Sequence, residues 1–329
     1  MMSASPTDLS IAEGFGFLTE ASWAVETVTA AARLGVLDRL ESGRLTVDDL
    51  TATSGMTERQ GRLLLTSLAR LGLAKTDEGS SFTSSTPGLS TVASRLLPRG
   101  HLTEVLAGKP PETSADTPDG STRLYPEMVR FLASGFRAAA ARAADHLFRP
   151  RLRVLDLGAG AAPWSLALAE RDHTTQVTAV DLPDVIPVTK SAIEEAGCSD
   201  RFDYMASDLF TVDLGEERYD LVIAGGVCHL FDEEANRRLL EKAGRALAPG
   251  GTLAIMEPLP NERFDGPRSV LLYALNLTTR TTGGTVYPFS SYVTWLQAAG
   301  LVRLGRDDLT ASPPISLITA HKPSSGGTT

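Results

Sequence analysis

The chain has 329 residues, 42% hydrophobic and 22% charged, and its 31 Lys and Arg stand against 40 Asp and Glu for a formal net charge of -9. That length holds one large domain or two ordinary ones with real cores, and the acidic balance argues against nucleic acid as the main partner. Cysteines Cys198 and Cys228 make neither a disulfide framework nor a metal-ligand spacing, no apolar run reaches the roughly 20 residues that span a bilayer, and the opening MMSASPTDLS has no signal-peptide pattern. The expectation is a cytoplasmic protein with no membrane partner.

In chain order, LSIAEGFGFLTEASWAVETVTAAARLGVLDRL carries apolar residues at helical spacing and breaks at ESGR. TVDDLTATSG reads as a short helix capped by Thr46. MTERQGRLLLTSLARLG reads as a second, with Thr57 as cap, Glu58 and Arg59 in the first turn, and Gly72 just past the end. LAKTDEGSSFTSS reads as a hairpin, so residues 1–100 suggest a winged helix. Such a domain raises a DNA-binding reading, but this segment holds nine Lys and Arg against eleven Asp and Glu. Phosphate contacts supply most non-specific affinity for DNA, so a dimerisation or interaction module is the better reading. GKPPETSADTPDGS is expected to be loop, and LYPEMVRFLASGFRAAAARAADHLF helix, within a connector of residues 101–150. Strands RVLDLG, QVTAVD, FDYMASD, YDLVIAGG and GTLAIMEP then alternate with helical segments across 151–322, which predicts a Rossmann-like, doubly wound, mostly parallel sheet. Residues 323–329 read as a disordered tail.

In such a sheet, ligands bind outside the carboxyl ends of the strands. The first strand leads into Gly158-Ala-Gly160, where glycine lets backbone approach a ligand closely. A dinucleotide fingerprint wants a third small residue where this chain has Pro163, and no phosphate-binding lysine follows. S-adenosylmethionine (SAM) has a ribose, an adenine and a cationic methionyl end, so acidic residues suit it. Asp156 precedes the glycines, Asp181 ends the second strand and Asp208 ends the third. Any one could be a helix cap; three at successive strand ends after a glycine turn favour SAM.

With AGRALAPGGTLAIMEP added, a helix, a Pro-Gly-Gly turn and a strand ending at Glu257, the chain resembles the class I SAM-dependent methyltransferases. More narrowly it is similar to the small-molecule O-methyltransferases with an N-terminal winged-helix dimerisation domain, plant phenolic enzymes and their bacterial natural-product relatives. The likeness is strongest in VLDLGAGAAPWSLALA, VTAVDLP, YDLVIAGGVCHLFDEE and LAPGGTLAIMEPLPNE. It implies an all-α winged-helix domain that makes a homodimer, ahead of the α/β domain. It also implies cofactor contacts from Asp156, Gly158, Gly160, Asp181, Leu182, Asp208 and Leu209. The plant enzymes have a lysine four residues before the catalytic histidine; here it is Gly225.

Methyl transfer from a sulfonium needs acceptor, methyl and sulfur in line and a route for the acceptor's proton. His229 in GGVCHLFDEE stands past the fourth strand at the ligand edge and matches the family's catalytic base; Glu257 matches the glutamate that orients it. A second family glutamate, after the Gly-Gly pair, is replaced by Val286 in TTGGTVYPFSSY. An aromatic or polyketide-like acceptor would meet Tyr125, Met128, Phe131, Trp164, Phe231, Asn276 and Tyr287, although such residues are as readily core. The remaining histidines, His101, His146, His173 and His321, form no metal-binding pattern. C- or N-methylation, a non-methylating SAM enzyme, and a SAM-sensing or DNA-binding regulator are the alternatives.

Overall fold

The computed structural model describes residues 11–77, 80–85, 88–90, 105, 109–126, 128–311 and 313–324. His101 and most of the expected tail, residues 325–329, lie outside the described residues. The chain divides into two compact units, Met1–Arg99 and Gly100–Thr329.

In the first unit, α1 (Ile11–Arg33) and α2 (Val36–Ser42) are separate helices, because Gly35 takes a left-handed φ of 67°. The sequence placed this break later, at ESGR. Helices α3 (Val47–Ser54) and α4 (Glu58–Arg70) both open on full capping boxes, Thr46 with Asp49 and Thr57 with Gln60, which satisfy orphan helix N–H groups. The unit is not all-α. Strands β1 (Leu45–Thr46), β2 (Ala74–Asp77) and β3 (Ser81–Ser84) form an antiparallel sheet in the order β1-β3-β2. Phe82 on β3 enters the core with Leu37, Leu40, Leu50, Leu65 and Leu68, so the sheet closes a core that the helices alone leave open.

The second unit is built on a seven-stranded sheet ordered β6-β5-β4-β7-β8-β10-β9. Strands β4 (Arg153–Leu157), β5 (Gln176–Asp181), β6 (Phe202–Ala206), β7 (Tyr219–Gly225) and β8 (Leu247–Glu257) run parallel. The final pair, β9 (Val302–Ala311) and β10 (Pro314–His321), is an antiparallel hairpin absent from the sequence reading. The charged run of β9, largely exposed at the sheet edge, hides it from a search for apolar strands. The expected Pro-Gly-Gly turn is a bulge inside β8: Leu247 pairs with Tyr219, and pairing resumes at Thr252 with Leu221.

Both faces of this sheet are covered. Leu221 and Ile223 enter one apolar cluster, with Ala140, Ala143 and Leu168, while Val222 and Ala224 enter the other, with Leu239, Leu240 and Trp295. The helices responsible are α6 (Val129–Leu147), α7 (Pro163–Ala169), α8 (Ile186–Glu195), α9 (Glu233–Ala246) and α11 (Phe289–Ala298). Two further helices are α5 (Pro118–Leu124) and α10 (Arg268–Leu277). Part of the stretch expected as loop is therefore helical: Thr117 caps α5, its side chain accepting from the Gly120 N–H, and Pro118 takes the first turn, where its missing donor costs nothing.

The end of β7 is shaped by one ring. A Cβ added to Gly225 would lie 2.3 Å from Trp164 Nε1. Trp164 is buried and stacked on Phe136 at 5.4 Å, so the ring is hemmed in and no lysine side chain can leave position 225. Gly225→Ala is expected to cost about 1–3 kcal/mol by overpacking, read as a lower urea midpoint at unchanged slope. Gly135→Ala, whose Cβ meets nothing within 4 Å in a helix, is the control and is expected to stabilise.

Candidate active site

From β4 the chain winds outward through β5 and β6, then returns to lay β7 on the other side of β4. The connections diverge there, and a crevice opens at the carboxyl ends of β4 and β7. A cleft of about 910 Å³ occupies this place, lined by Gly158, Gly160, Asp181, Leu182, Asp208 and Leu209 and by Tyr125, Trp164 and Phe231.

The glycine turn is forced to its shape. Gly158 and Gly160 have φ of 65° and 57°, and Ala162 follows at 55°, a left-handed residue directly before the first proline of α7. A Cβ on Gly158 would also stand 2.7 Å from Val227 Cγ2. The turn is tied to the next strand, since Asp181 Oδ2 accepts from the Gly160 N–H and Oδ1 from the Leu182 N–H, each at 2.7 Å. Each oxygen keeps a second lone pair for a ligand hydroxyl. Burial pushes the Asp181 carboxyl up to about 6, and these two N–H donors pull against it. Asp208 accepts from the Phe210 N–H at 2.8 Å, which fixes its carboxylate at the β6 end.

Asp156 is a correction. It does not line the cleft but is buried beneath it, where Ser165 donates to Oδ2 and Oδ1 has no partner. Burial, with Asp181 nearby, raises its carboxyl to about 7. Strand alternation explains the placement: Asp156 shares the face of Val154, which packs into the core under α7.

His229 follows β7 in the short 3₁₀ turn Cys228–Leu230, and Glu257 is the last residue of β8. His229 Nδ1 lies 2.7 Å from Glu257 Oε2, while Oε1 accepts from the Cys228 N–H at 2.8 Å. A carboxylate only accepts, so Nδ1 carries the proton and Nε2 presents the lone pair. Glu257 is 1% exposed and His229 8%. Their neighbours Gly226, Val227, Leu230 and Phe231 line the cleft, and His229 and Glu257 themselves stand behind that lining. Burial pushes the Cys228 thiol well up, which removes it as a nucleophile.

Four proposed acceptor residues are not brought to the cleft lining. Asn276 is exposed and accepts from Arg280 at 2.8 Å. Tyr287 donates to the Phe231 carbonyl at 2.8 Å and packs edge-on to Trp295 and Tyr292. Met128 and Phe131 are partly buried at the start of α6, outside the lining. In their place the segment Ala115–Pro118 forms part of the wall. It is held by Asp116 Oδ2, which accepts from the Thr282 and Gly283 N–H groups at 2.9 Å each. Asn236 was missed as well. Fully buried, it donates to the Cys228 and Phe231 carbonyls at 2.9 and 3.1 Å and so pins the histidine turn.

The charges of the cleft select its ligand. Asp116, Asp181 and Asp208 line it, and no Lys, Arg or His does so among the described residues. A pyrophosphate would find no cationic partner there, whereas a sulfonium with a ribose to hold suits three carboxylates. SAM fits this donor set.

Comparison with known proteins agrees. A methyltransferase-domain family model matches residues 154–251. The 3-hydroxy-5-methyl-1-naphthoate 3-O-methyltransferase of Streptomyces sahachiroi is 28% identical over 299 residues, which cover 84% of this chain and 86% of that protein. The L-tyrosine C(3)-methyltransferase of Streptomyces lavendulae is 31% identical over 173 residues, 52% of this chain and 47% of that one. Human N-acetylserotonin methyltransferase, solved in complex with SAM, shares the fold with a TM-score of 0.72 at 22% identity, over 98% of this chain and 100% of that one. The chain thus carries a methyltransferase domain and is a SAM-dependent methyltransferase, similar over most of its length to small-molecule O-methyltransferases.

Proposed function

We propose that this enzyme methylates a hydroxyl group on a small aromatic acceptor, with His229 as general base and Glu257 as its support. The observation that carries this reading is the 2.7 Å Glu257–His229 hydrogen bond, directly behind the lining of a cleft with aromatic sides. Gly158, Gly160, Asp181, Leu182, Asp208 and Leu209 would hold SAM, which supplies an electrophilic methyl group when bound. Tyr125, Trp164 and Phe231 offer flat surfaces to an aromatic ring. His229 takes the hydroxyl proton on Nε2, and the buried Glu257 carboxylate steadies the imidazolium that forms. The hydroxynaphthoate acceptor in the name of the Streptomyces sahachiroi relative belongs to this chemical class.

Methylation of a ring carbon is the second reading, favoured by the L-tyrosine C(3)-methyltransferase relative. Product NMR separates a methoxy from an aryl methyl group. We further assign residues 1–100 to homodimerisation, as the family resemblance implies; Leu34, Leu63 and Leu71 in this unit are 54%, 58% and 43% exposed and so open to a second copy. Light scattering is expected to give a dimer mass, and Leu63→Glu to halve it. A cytoplasmic setting suits two free, buried cysteines. Among the described residues no helix is long and apolar enough to cross a membrane.

Calorimetric titration with S-adenosylhomocysteine tests the cofactor site. Asp181→Ala is expected to weaken binding at least about 100-fold, since hydrogen bonds to a charged acceptor are worth about 1.5–3 kcal/mol each. With the Asp181 carboxyl near 6, protonation below that pH removes acceptor capacity. Affinity is therefore expected to fall about tenfold from pH 8 to pH 5 in the unaltered protein, and to be flat in Asp181→Ala. Unchanged affinity in the variant would remove Asp181 from the site.

Turnover of a panel of hydroxynaphthoates and simple phenols tests the base. His229→Ala is expected to lower kcat about 10²–10⁴-fold, with S-adenosylhomocysteine affinity intact, and Glu257→Gln to lower it by less. A His229→Ala enzyme as fast as its parent would exclude the imidazole as base.

A further inference from the structure

The lone pair that a base at His229 would use is already engaged. Tyr273 Oη lies 2.8 Å from His229 Nε2. With Nδ1–H directed at Glu257, Nε2 can only accept, so the phenol donates. Tyr273 stands in the middle of α10, its ring edge-on to the imidazole at 5.3 Å and 73°. The Arg280 guanidinium lies 5.4 Å from the ring centroid and donates to the same hydroxyl. The ring packs against a small apolar cluster of Val270, Ala274, Leu277 and Val286. The phenol is thus held in place on the base.

Val286 is the residue that replaces the family's second glutamate, and it is 1% exposed in that cluster. The chain therefore gives up a carboxylate near its histidine and sets an apolar side chain behind a tyrosine that touches the same imidazole. Tyr125 lines the cleft, and its hydroxyl acts electrostatically on Tyr273, which stands behind that lining.

We propose that Tyr273 is the proton relay between the acceptor and His229. This rests on His229 being the base. In the step, the acceptor O–H bond breaks and its proton passes to Tyr273 Oη, while the proton that Tyr273 carried passes to His229 Nε2. The acceptor oxygen uses its freed electron pair to form the bond to the methyl carbon, whose bond to sulfur breaks with that pair left on sulfur. One positive charge leaves the sulfonium and one appears on the imidazolium beside Glu257, so charge balances. Burial, reinforced by Tyr125 and Glu257 and opposed by Arg280, pushes the Tyr273 hydroxyl well above the usual tyrosine range. A free phenolate is therefore disfavoured, and the two proton movements are coupled.

The test compares the full-length protein with Tyr273→Phe, which keeps the ring and removes only the hydroxyl. Thermal unfolding and S-adenosylhomocysteine affinity are expected to match the parent, showing that fold and cofactor site survive. With ¹⁵N-histidine labelling, the parent is expected to show His229 as the Nδ1–H tautomer with a hydrogen-bonded Nε2, and the variant the same tautomer with Nε2 released. An Nε2 resonance that does not move overturns the proposal. With the hydroxynaphthoate and phenol panel, kcat is expected to fall about 10²-fold at unchanged KM. In mixtures of light and heavy water, the parent rate is expected to curve with deuterium fraction, as two protons in flight require, and the variant rate to become linear. A variant as fast as the parent, or a linear parent response, makes Tyr273 a mere occupant of Nε2. His229→Ala separates the failures: if it keeps full rate, the base reading falls, whereas loss of rate there with none in Tyr273→Phe overturns the relay alone.

Discussion

The site depends on the crowding of backbone where β4 and β7 end side by side. The chain leaves β4 toward β5 and comes back at β7, so two turns must part from one narrow place on the sheet edge. Gly158 can turn there only by taking a left-handed φ of 65°, with Val227 so close that a methyl group would sit 2.7 Å from it. Gly226, at a φ of 72°, faces the imidazole of His229 from the other turn. The residues that crowd the turn are thus the ones beside the base. Strand order thus sets the Gly158 turn and the His229 turn side by side, where a cofactor and an acceptor would meet.

Electrostatics gives this geometry its ligand. Asp156 is buried and Asp181 partly buried, and burial first, then Asp181, raises Asp156 toward 7. Two carboxylates so placed are costly to ionise in the empty protein, and a cation set between the strand ends would offset that cost. Asp181 faces the cleft and would act on the ligand, whereas Asp156 accepts from Ser165 on α7. The difference between them is one of depth: Asp156 is in register with Ala179, two residues before Asp181, so both project to one face and only Asp181 reaches the strand end.

That difference also marks how far the sequence could be read. The glycine turn, the acids at the ends of β5 and β6, the capping threonines and the histidine after β7 carry local signals: a turn residue, a strand end, a cap. Asp156 was readable too, since it stands one residue inside the end of RVLDL whereas Asp181 closes QVTAVD. Asn236, Asp116 and Tyr273 carry no such signal. Asn236 works because α9 lies across the histidine turn, Asp116 because its segment meets Thr282 and Gly283, and Tyr273 because α10 crosses His229. Each is set by contact between distant parts of the chain, and the pattern around each is that of an ordinary helix or loop. Tyr287 and Asn276 fail for the converse reason, since an aromatic in a core and an amide on a helix surface look the same in sequence as groups in a pocket.

The Gly283-Gly284 pair makes the last point about the missing glutamate. A Cβ on Gly284 would lie 2.6 Å from the His229 carbonyl oxygen and 2.7 Å from that of Leu230, so the loop rests directly on the histidine turn. This chain keeps the glycines that allow that contact and drops the acid two residues on. The loop's work here is then mechanical: it buttresses the turn that carries His229, while its Val286 closes the apolar patch behind Tyr273. Electrostatic support of the imidazole falls to Glu257 on Nδ1 alone, and the contact at Nε2 belongs to a neutral phenol. A neutral partner on Nε2 leaves the imidazole free to become a cation without a second carboxylate competing for the proton, which would suit the proposed role of His229 as base.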